Sequence, residues 1–180
     1  MRRFFISLLC LFSATAFSAP TVVVDTTMGT FEVELYSEKA PITVENFLTY
    51  VKDGSYEGSI FHRVIPGFMA QGGGFDTDMK RLKSNAPIKN EASNRVLNET
   101  ATIAMARTKA ADSATRQFFI NYADNDFLDF THTNPGYAVF GKVTKGFEVV
   151  QEMAKQPTAS LERYHDVPVT AIVINKITIK

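Results

Sequence analysis

The chain has 180 residues, 45% of them hydrophobic and 21% charged, with 19 Lys and Arg against 19 Asp and Glu. That length suits one domain with a sizeable core, and the composition is too apolar for a disordered chain. A net charge of zero lacks the basic surplus that nucleic-acid or polybasic membrane contacts need, and one cysteine excludes an intrachain disulfide framework or a cysteine-based metal cluster.

Residues 1–19 read as an export signal rather than as part of the fold. Arg2 and Arg3 precede an apolar run from Phe4 to Phe12, and Ala14-Thr15-Ala16 supplies small residues at the spacing signal peptidase accepts. Removal after Ala16 (residues 1–16) is the expectation, with cleavage after Ser18 as the alternative. The run is about half of the ~20 residues that span a bilayer, so no stable membrane anchoring is expected. Leu9 before Cys10 does not suit a lipid-attachment box. Processing would remove Cys10 and leave a cysteine-free body of net charge −2, indifferent to an oxidising compartment and stable through its core alone.

In chain order, Thr21 to Asp25 is a β-branched run followed by the turn residues Thr27-Met28-Gly29. Thr30 to Tyr36 alternates strictly, with Phe31, Val33 and Leu35 on one face and Glu32 and Glu34 on the other. That pattern predicts a hairpin with one wet face. Val44, Phe47, Leu48 and Val51 then fall at helical spacing, predicting a helix over 42–52 closed by Gly54. Ile60 to Ile65 and Phe68 to Gln71 read as strands joined by Pro66-Gly67, the second ended by three glycines. Residues 74–100 are polar and irregular, a surface-wrapping or functional excursion. Further strands are predicted at Thr102 to Ala106, Gln117 to Asn121 and Ala138 to Val143, with a second helix over 145–154 around Phe147, Val150 and Met153. In the last strand, Ala171 to Lys180, the apolar phase slips from even to odd positions, which predicts a bulge near Asn175-Lys176. Eight strands and two helices are accommodated by a mainly β fold, a closed eight-stranded antiparallel barrel capped by two α-helices.

The stretch Phe61-His62-Arg63-Val64-Ile65-Pro66-Gly67-Phe68-Met69-Ala70-Gln71 brings a cation, an aromatic ring, a thioether and an amide to one small surface through a tight turn. In Gln117-Phe118-Phe119-Ile120, adjacent rings must take opposite faces of a strand, so one enters the core while the other lines a pocket. His62, His132 and His165 have no ligand spacing, and no metal or cofactor site is expected. The glycines at 72–74 lack the strand and helix frame of a phosphate loop and are better explained by close packing of backbone.

FHRVIPGFMAQGG, SATRQFFIN, FLD and AVFGKV occur in an order and spacing that resembles the cyclophilin family of peptidyl-prolyl cis-trans isomerases, closest to its exported bacterial members. The resemblance covers roughly residues 21–180 and implies the cyclophilin barrel, catalysis of X-Pro bond rotation, proline-containing polypeptide clients and no cofactor. The export signal, the lack of an anchor and the cysteine-free body lead to the expectation of a monomer in the periplasm. By position it implies that Arg63 is the catalytic arginine and that Phe68, Met69, Phe119 and Leu128 form the proline pocket. Gln71 and Gln117 match substrate-contacting glutamines, and Ala106 and Arg107 fall where backbone pairs with peptide. Three positions depart from the pattern. Phe127 stands where many members carry Trp, Tyr137 where many carry His, and Arg107 replaces Asn. These departures bear on inhibitor affinity and peptide preference more than on the chemistry. A non-catalytic peptide holdase and a small-ligand carrier with a large apolar cavity are the competing classes at this level.

Overall fold

The computed structural model describes residues 19–180, so the expected export signal lies outside the described residues. Strands β1 (Thr21–Thr26) and β2 (Gly29–Leu35) form the predicted hairpin, its turn closed by the Thr26 hydroxyl donating to the Gly29 carbonyl at 2.7 Å. Val22, Val24, Phe31, Val33 and Leu35 are buried. On the opposite face the Glu32 carboxylate collects Lys145 and Lys180. Helix α1 (Pro41–Lys52) starts on a proline, whose missing N–H costs nothing there. Its first free N–H groups, on Ile42 and Thr43, donate to the carboxylate of Glu91 at 3.1 and 2.8 Å. Helix α2 (Phe147–Met153) is shorter than predicted and buries Val150 and Met153.

The remaining sheet strands are β3 (Phe61–Ile65), β4 (Met69–Gly72), β5 (Thr102–Met105), β6 (Phe118–Asn121) and β7 (Val139–Lys145). After α2 come β8 (Thr158–Leu161) and β9 (Tyr164–Pro168), a separate two-stranded hairpin, and then β10 (Ile174–Ile179). Eight strands form one antiparallel sheet in the order β10-β1-β2-β7-β5-β6-β4-β3. The predicted slip in the last strand is present: Asp25 pairs with Lys176 and Thr26 with Ile174, leaving Asn175 as the extra residue.

The expected closed barrel is corrected to an open one. The edge strands β10 and β3 share no ladder. They meet through a single bridge, Ile60 with Val173, flanked by the Phe61 N–H on the Ile172 carbonyl at 2.9 Å and the Ile174 N–H on the Ser59 carbonyl at 2.8 Å. A count of eight strands does not specify that the first and last edges pair along their length.

The interior is filled by side chains. Phe47 lies within 5.2–5.7 Å, centroid to centroid, of Tyr56, Phe118 and Phe140, and Phe61 meets Phe118 edge-on at 5.9 Å. Among the described residues, such packing leaves no large apolar cavity of the carrier kind within the barrel. The polar stretch 74–100 wraps the outside, pinned by bridges from Phe75 to Arg81 and from Ile88 to Ala114. Arg116 anchors its start. Its buried guanidinium donates to the carbonyls of Gly73, Lys83 and Ser55 at 2.6, 2.7 and 2.5 Å and stacks against Tyr50 and Tyr56.

Candidate active site

The site is set up by an irregularity in β3. Phe61 pairs with Gly72 and Arg63 with Gln71, so His62 is an extra residue on that strand. A bulge bends its strand and re-aims the side chains beside it. Phe61 and His62 are both buried, Phe61 in the main core and His62 against the Phe75 ring at 4.6 Å. Arg63 is thereby turned to the surface directly opposite Gln71.

Arg63, Phe68, Met69, Gln71, Ala106, Arg107, Phe119, Leu128 and Tyr137 line one pocket of about 150 Å³. Nine of the eleven positions singled out from the sequence are therefore brought together. Met69, Phe119 and Leu128 belong to a small apolar cluster separate from the main core, with Phe68 and Tyr137 packed on its edge. The paired phenylalanines divide as expected, Phe118 inward and Phe119 to the pocket. Beside the pocket, Gln71 Nε2 donates to Gln117 Oε1 at 2.9 Å, holding the two amides together. Gln117 is thus joined to Gln71 and does not itself line the pocket. The close packing expected of the glycine run is seen at its end: a Cβ on Gly74 would stand 2.5 Å from the Gln117 side chain.

Phe127 also lies outside the pocket lining. It is 67% exposed, in a short 3-10 turn (Asp126–Leu128), and leans on Phe68 with ring centroids 5.5 Å apart. The turn is tied down by Asn125, whose side-chain amide donates to the Phe68 carbonyl at 3.0 Å. Tyr137 packs edge-on against Phe119 at 5.7 Å and carries the Arg107 guanidinium over its ring at 4.3 Å. Arg107 further donates from Nε to the Gly136 carbonyl at 2.8 Å, so its charge is stationed at the rim. The Ala106 N–H is spent on the Gln117 carbonyl at 2.9 Å.

Sequence reasoning missed the neighbours of Arg63. Asp166, on β9, places Oδ2 3.7 Å from Arg63 Nε, both side chains being about two-fifths exposed. At that exposure the pair is worth at most about 1 kcal/mol, and its consequence is orientation rather than stability. Asp166 has φ near +60°, a left-handed conformation that Asp tolerates better than most residues. No local signal in the sequence ties residue 166 to residue 63. A second depression of about 410 Å³ adjoins Arg63 and Gln71, lined additionally by Arg81 and by Arg163, Tyr164 and His165 of the hairpin.

The arrangement offers two cations at the lip of an apolar pocket, Arg63 beside an amide pair and Arg107 held on Tyr137 and the Gly136 carbonyl, and, among the residues that line the pocket, no nucleophile in hydrogen-bond contact with a base. The family model for cyclophilin type peptidyl-prolyl cis-trans isomerases matches residues 21–179. A peptidyl-prolyl cis-trans isomerase of Acinetobacter baylyi is 53% identical over 170 residues, which cover 94% of this chain and 90% of that protein. Peptidyl-prolyl cis-trans isomerase A of Dickeya dadantii is 52% identical over 167 residues, covering 91% and 88% respectively. Among solved structures, a cyclophilin type isomerase of Cryptosporidium parvum, crystallised in the presence of the dipeptide Ala-Pro, superposes with a TM-score of 0.77 at 28% identity, covering 89% of this chain and 98% of its own. With sequence, fold and pocket in agreement, the chain belongs to the cyclophilin-type peptidyl-prolyl cis-trans isomerases and is an enzyme of that class.

Proposed function

We propose that the 150 Å³ pocket receives the proline ring of a polypeptide substrate and that Arg63 accelerates rotation of the preceding bond. The observation that carries this reading is the shared lining: the Arg63 guanidinium faces the same small space as Phe68, Met69, Phe119 and Leu128, while the second guanidinium of the lining, Arg107, is engaged by Tyr137 and the Gly136 carbonyl. Pockets for drug-sized molecules run from ~300 Å³ upward, so this one suits a single ring of a polypeptide better than a free cofactor.

Rotation about a peptide bond must break C–N resonance, at a barrier of ~18–20 kcal/mol, and X-Pro bonds exchange over tens to hundreds of seconds. As the bond twists, the prolyl nitrogen recovers its lone pair and becomes a hydrogen-bond acceptor. A guanidinium aimed at that nitrogen binds the twisted state better than either planar one, which is the condition for catalysis. Each tenfold acceleration needs ~1.4 kcal/mol, so one charge-assisted hydrogen bond with a held ring accounts for several decades. Asp166 lies on the Nε side of Arg63 as an ion-pair partner and biases the orientation of the guanidinium. Gln71 and Gln117 steady the peptide backbone, Ala106 and Arg107 flank it, and Phe127 and Tyr137 form the rim.

The enzyme is further proposed to work as a monomer outside the cytoplasmic membrane, in the periplasm, on secreted or envelope proteins during folding. The export-signal pattern of residues 1–16 and the absence of cysteine after Cys10 support this. In a protease-coupled assay with a proline-containing tetrapeptide, Arg63→Ala is expected to lower kcat/KM by about two decades or more, and Arg63→Lys to recover part of it. Near-normal turnover by an Arg63→Ala protein with an unchanged circular dichroism spectrum would overturn the mechanism. Intact-mass measurement of exported protein is expected to show loss of residues 1–16 or 1–18; a retained leader would overturn the location.

A further inference from the structure

The surface next to the proline pocket carries a charge pattern that rotation of an X-Pro bond does not require. The glutamine pair borders the second depression of about 410 Å³, which is lined by Arg81 of the wrapping segment and by Arg163 of the β8–β9 hairpin. Both arginines are exposed, and among the described residues neither has a carboxylate within salt-bridge distance. Arg81 rests on the Phe75 ring at 5.4 Å, and Arg163 donates to the Tyr164 hydroxyl at 3.1 Å. Tyr164 in turn meets Phe75 edge-on at 5.2 Å. The two cations are thus footed on one aromatic pair instead of dispersed in solvent. Asp166 is the depression's one carboxylate, and it faces Arg63. In a chain whose charges balance overall, this concentration is local.

Arg63 and Gln71 line both the proline pocket and this depression, so a chain leaving the pocket on that side passes the depression. Extended polypeptide advances about 3.3–3.6 Å per residue, so a side chain one to three residues from the proline reaches the depression. Guanidinium groups pair with carboxylates in a planar fork, and cations fixed on aromatic faces lose little freedom in doing so. We infer that this enzyme selects X-Pro segments carrying an aspartate or glutamate within three residues of the proline, recognised by Arg81 and Arg163. The inference rests on the proline-pocket reading above and adds the substrate class to it.

The test is a set of otherwise identical proline peptides bearing Glu, Gln or Lys at each of the three positions on either side of the X-Pro bond, assayed at low and high salt. At one or more positions the Glu peptide is expected to exceed its Gln counterpart in kcat/KM by about two- to tenfold, the span of one or two exposed ion pairs. The Lys peptide should fall below both, and added salt should compress the series. In Arg81→Gln/Arg163→Gln the Glu-to-Gln ratio is expected to collapse towards one, and Arg81→Glu is expected to turn the preference towards Lys. Equal turnover of the three peptides at every position would overturn the selection, as would a Glu preference that survives the double substitution. Failure to turn over even the Gln peptides would instead overturn the proline-pocket reading itself.

Discussion

Acid should weaken this fold through His62. The imidazole is 6% exposed, its Nδ1 has no hydrogen-bond partner, and its ring packs on Phe75. Burial lowers its pKa from 6.5 to about 4, with the charges of Arg63 and Arg81 pressing the same way and the Ile60 backbone opposing in part. The folded state therefore holds the neutral ring, while an unfolded chain takes up a proton near pH 6.5. Between those values the unfolded state binds more protons, so stability falls as pH falls. Above about pH 6.5 the group contributes no pH dependence. Below about pH 4 the loss is complete, on the order of 3 kcal/mol, because each pH unit between the two values is worth ~1.4 kcal/mol. Small domains have about 5–15 kcal/mol in all, so the effect is large enough to read. The measurement is urea unfolding at a series of pH values between about 7 and 4, for the native sequence and for His62→Phe, which keeps a ring against Phe75 and removes the titration. Every other titratable group is common to the two proteins and cancels in the comparison. The native protein should lose stability more steeply by up to ~1.4 kcal/mol per pH unit. Parallel curves for the two proteins would refute the reasoning. Over about pH 6 to 9 the turnover of folded enzyme should be flat, since arginine does not titrate there.

Two further outcomes follow from contacts at the site. Gly74→Ala should push the Gln117 side chain off Gln71, because the new Cβ would stand 2.5 Å from it; one lost hydrogen bond corresponds to about a 2- to 10-fold fall in kcat/KM, and unchanged kinetics in the peptide assay would show the amide pair to be idle. Phe127→Trp should tighten inhibition by cyclosporin, the cyclic peptide inhibitor of this family, by roughly 5- to 150-fold, because an indole N–H supplies a donor that a phenyl ring lacks. The exposed seat of Phe127 gives the larger ring room without repacking, and an inhibition constant unmoved by the substitution would count against the hydrogen-bond account.

The parts of the fold legible in the sequence are those where burial imposes a period. Phe31, Val33 and Leu35 alternate because one face of β2 is core, and Val44, Phe47 and Val51 recur because one side of α1 is. The slip from Ile174 to Ile177 marks the extra residue Asn175 for the same reason. The β8–β9 hairpin is hidden at this level because Thr158–Leu161 is exposed at every position and carries no alternation. Glu91 under α1, Arg116 under the wrapping segment and Asp166 beside Arg63 are hidden for a different reason. Each is a polar contact between residues far apart in the chain, and such a contact leaves no local pattern at either end. The open seam belongs here too, since whether β10 and β3 pair along their length is a property of neither strand alone.

The site itself is legible through its apolar wall and obscure at its polar edge. Met69, Gln71 and Phe119 come together because β4 and β6 are paired neighbours, Met69 with Asn121 and Gln71 with Phe119, and the alternation along each strand selects the pocket face. Phe68 and Leu128 join them from the flanking turns, which Asn125 ties together. Arg63 is a different case. Regular alternation from Phe61 would send Arg63 to the same face as Phe61, into the core. The extra residue at His62 breaks that phase, burying two consecutive side chains and releasing the third. One inserted position thus has two consequences: it turns the guanidinium towards the pocket, and it leaves an imidazole nitrogen without a partner in the interior. On this view the acid sensitivity assigned to His62 is the stability cost of the geometry that places Arg63.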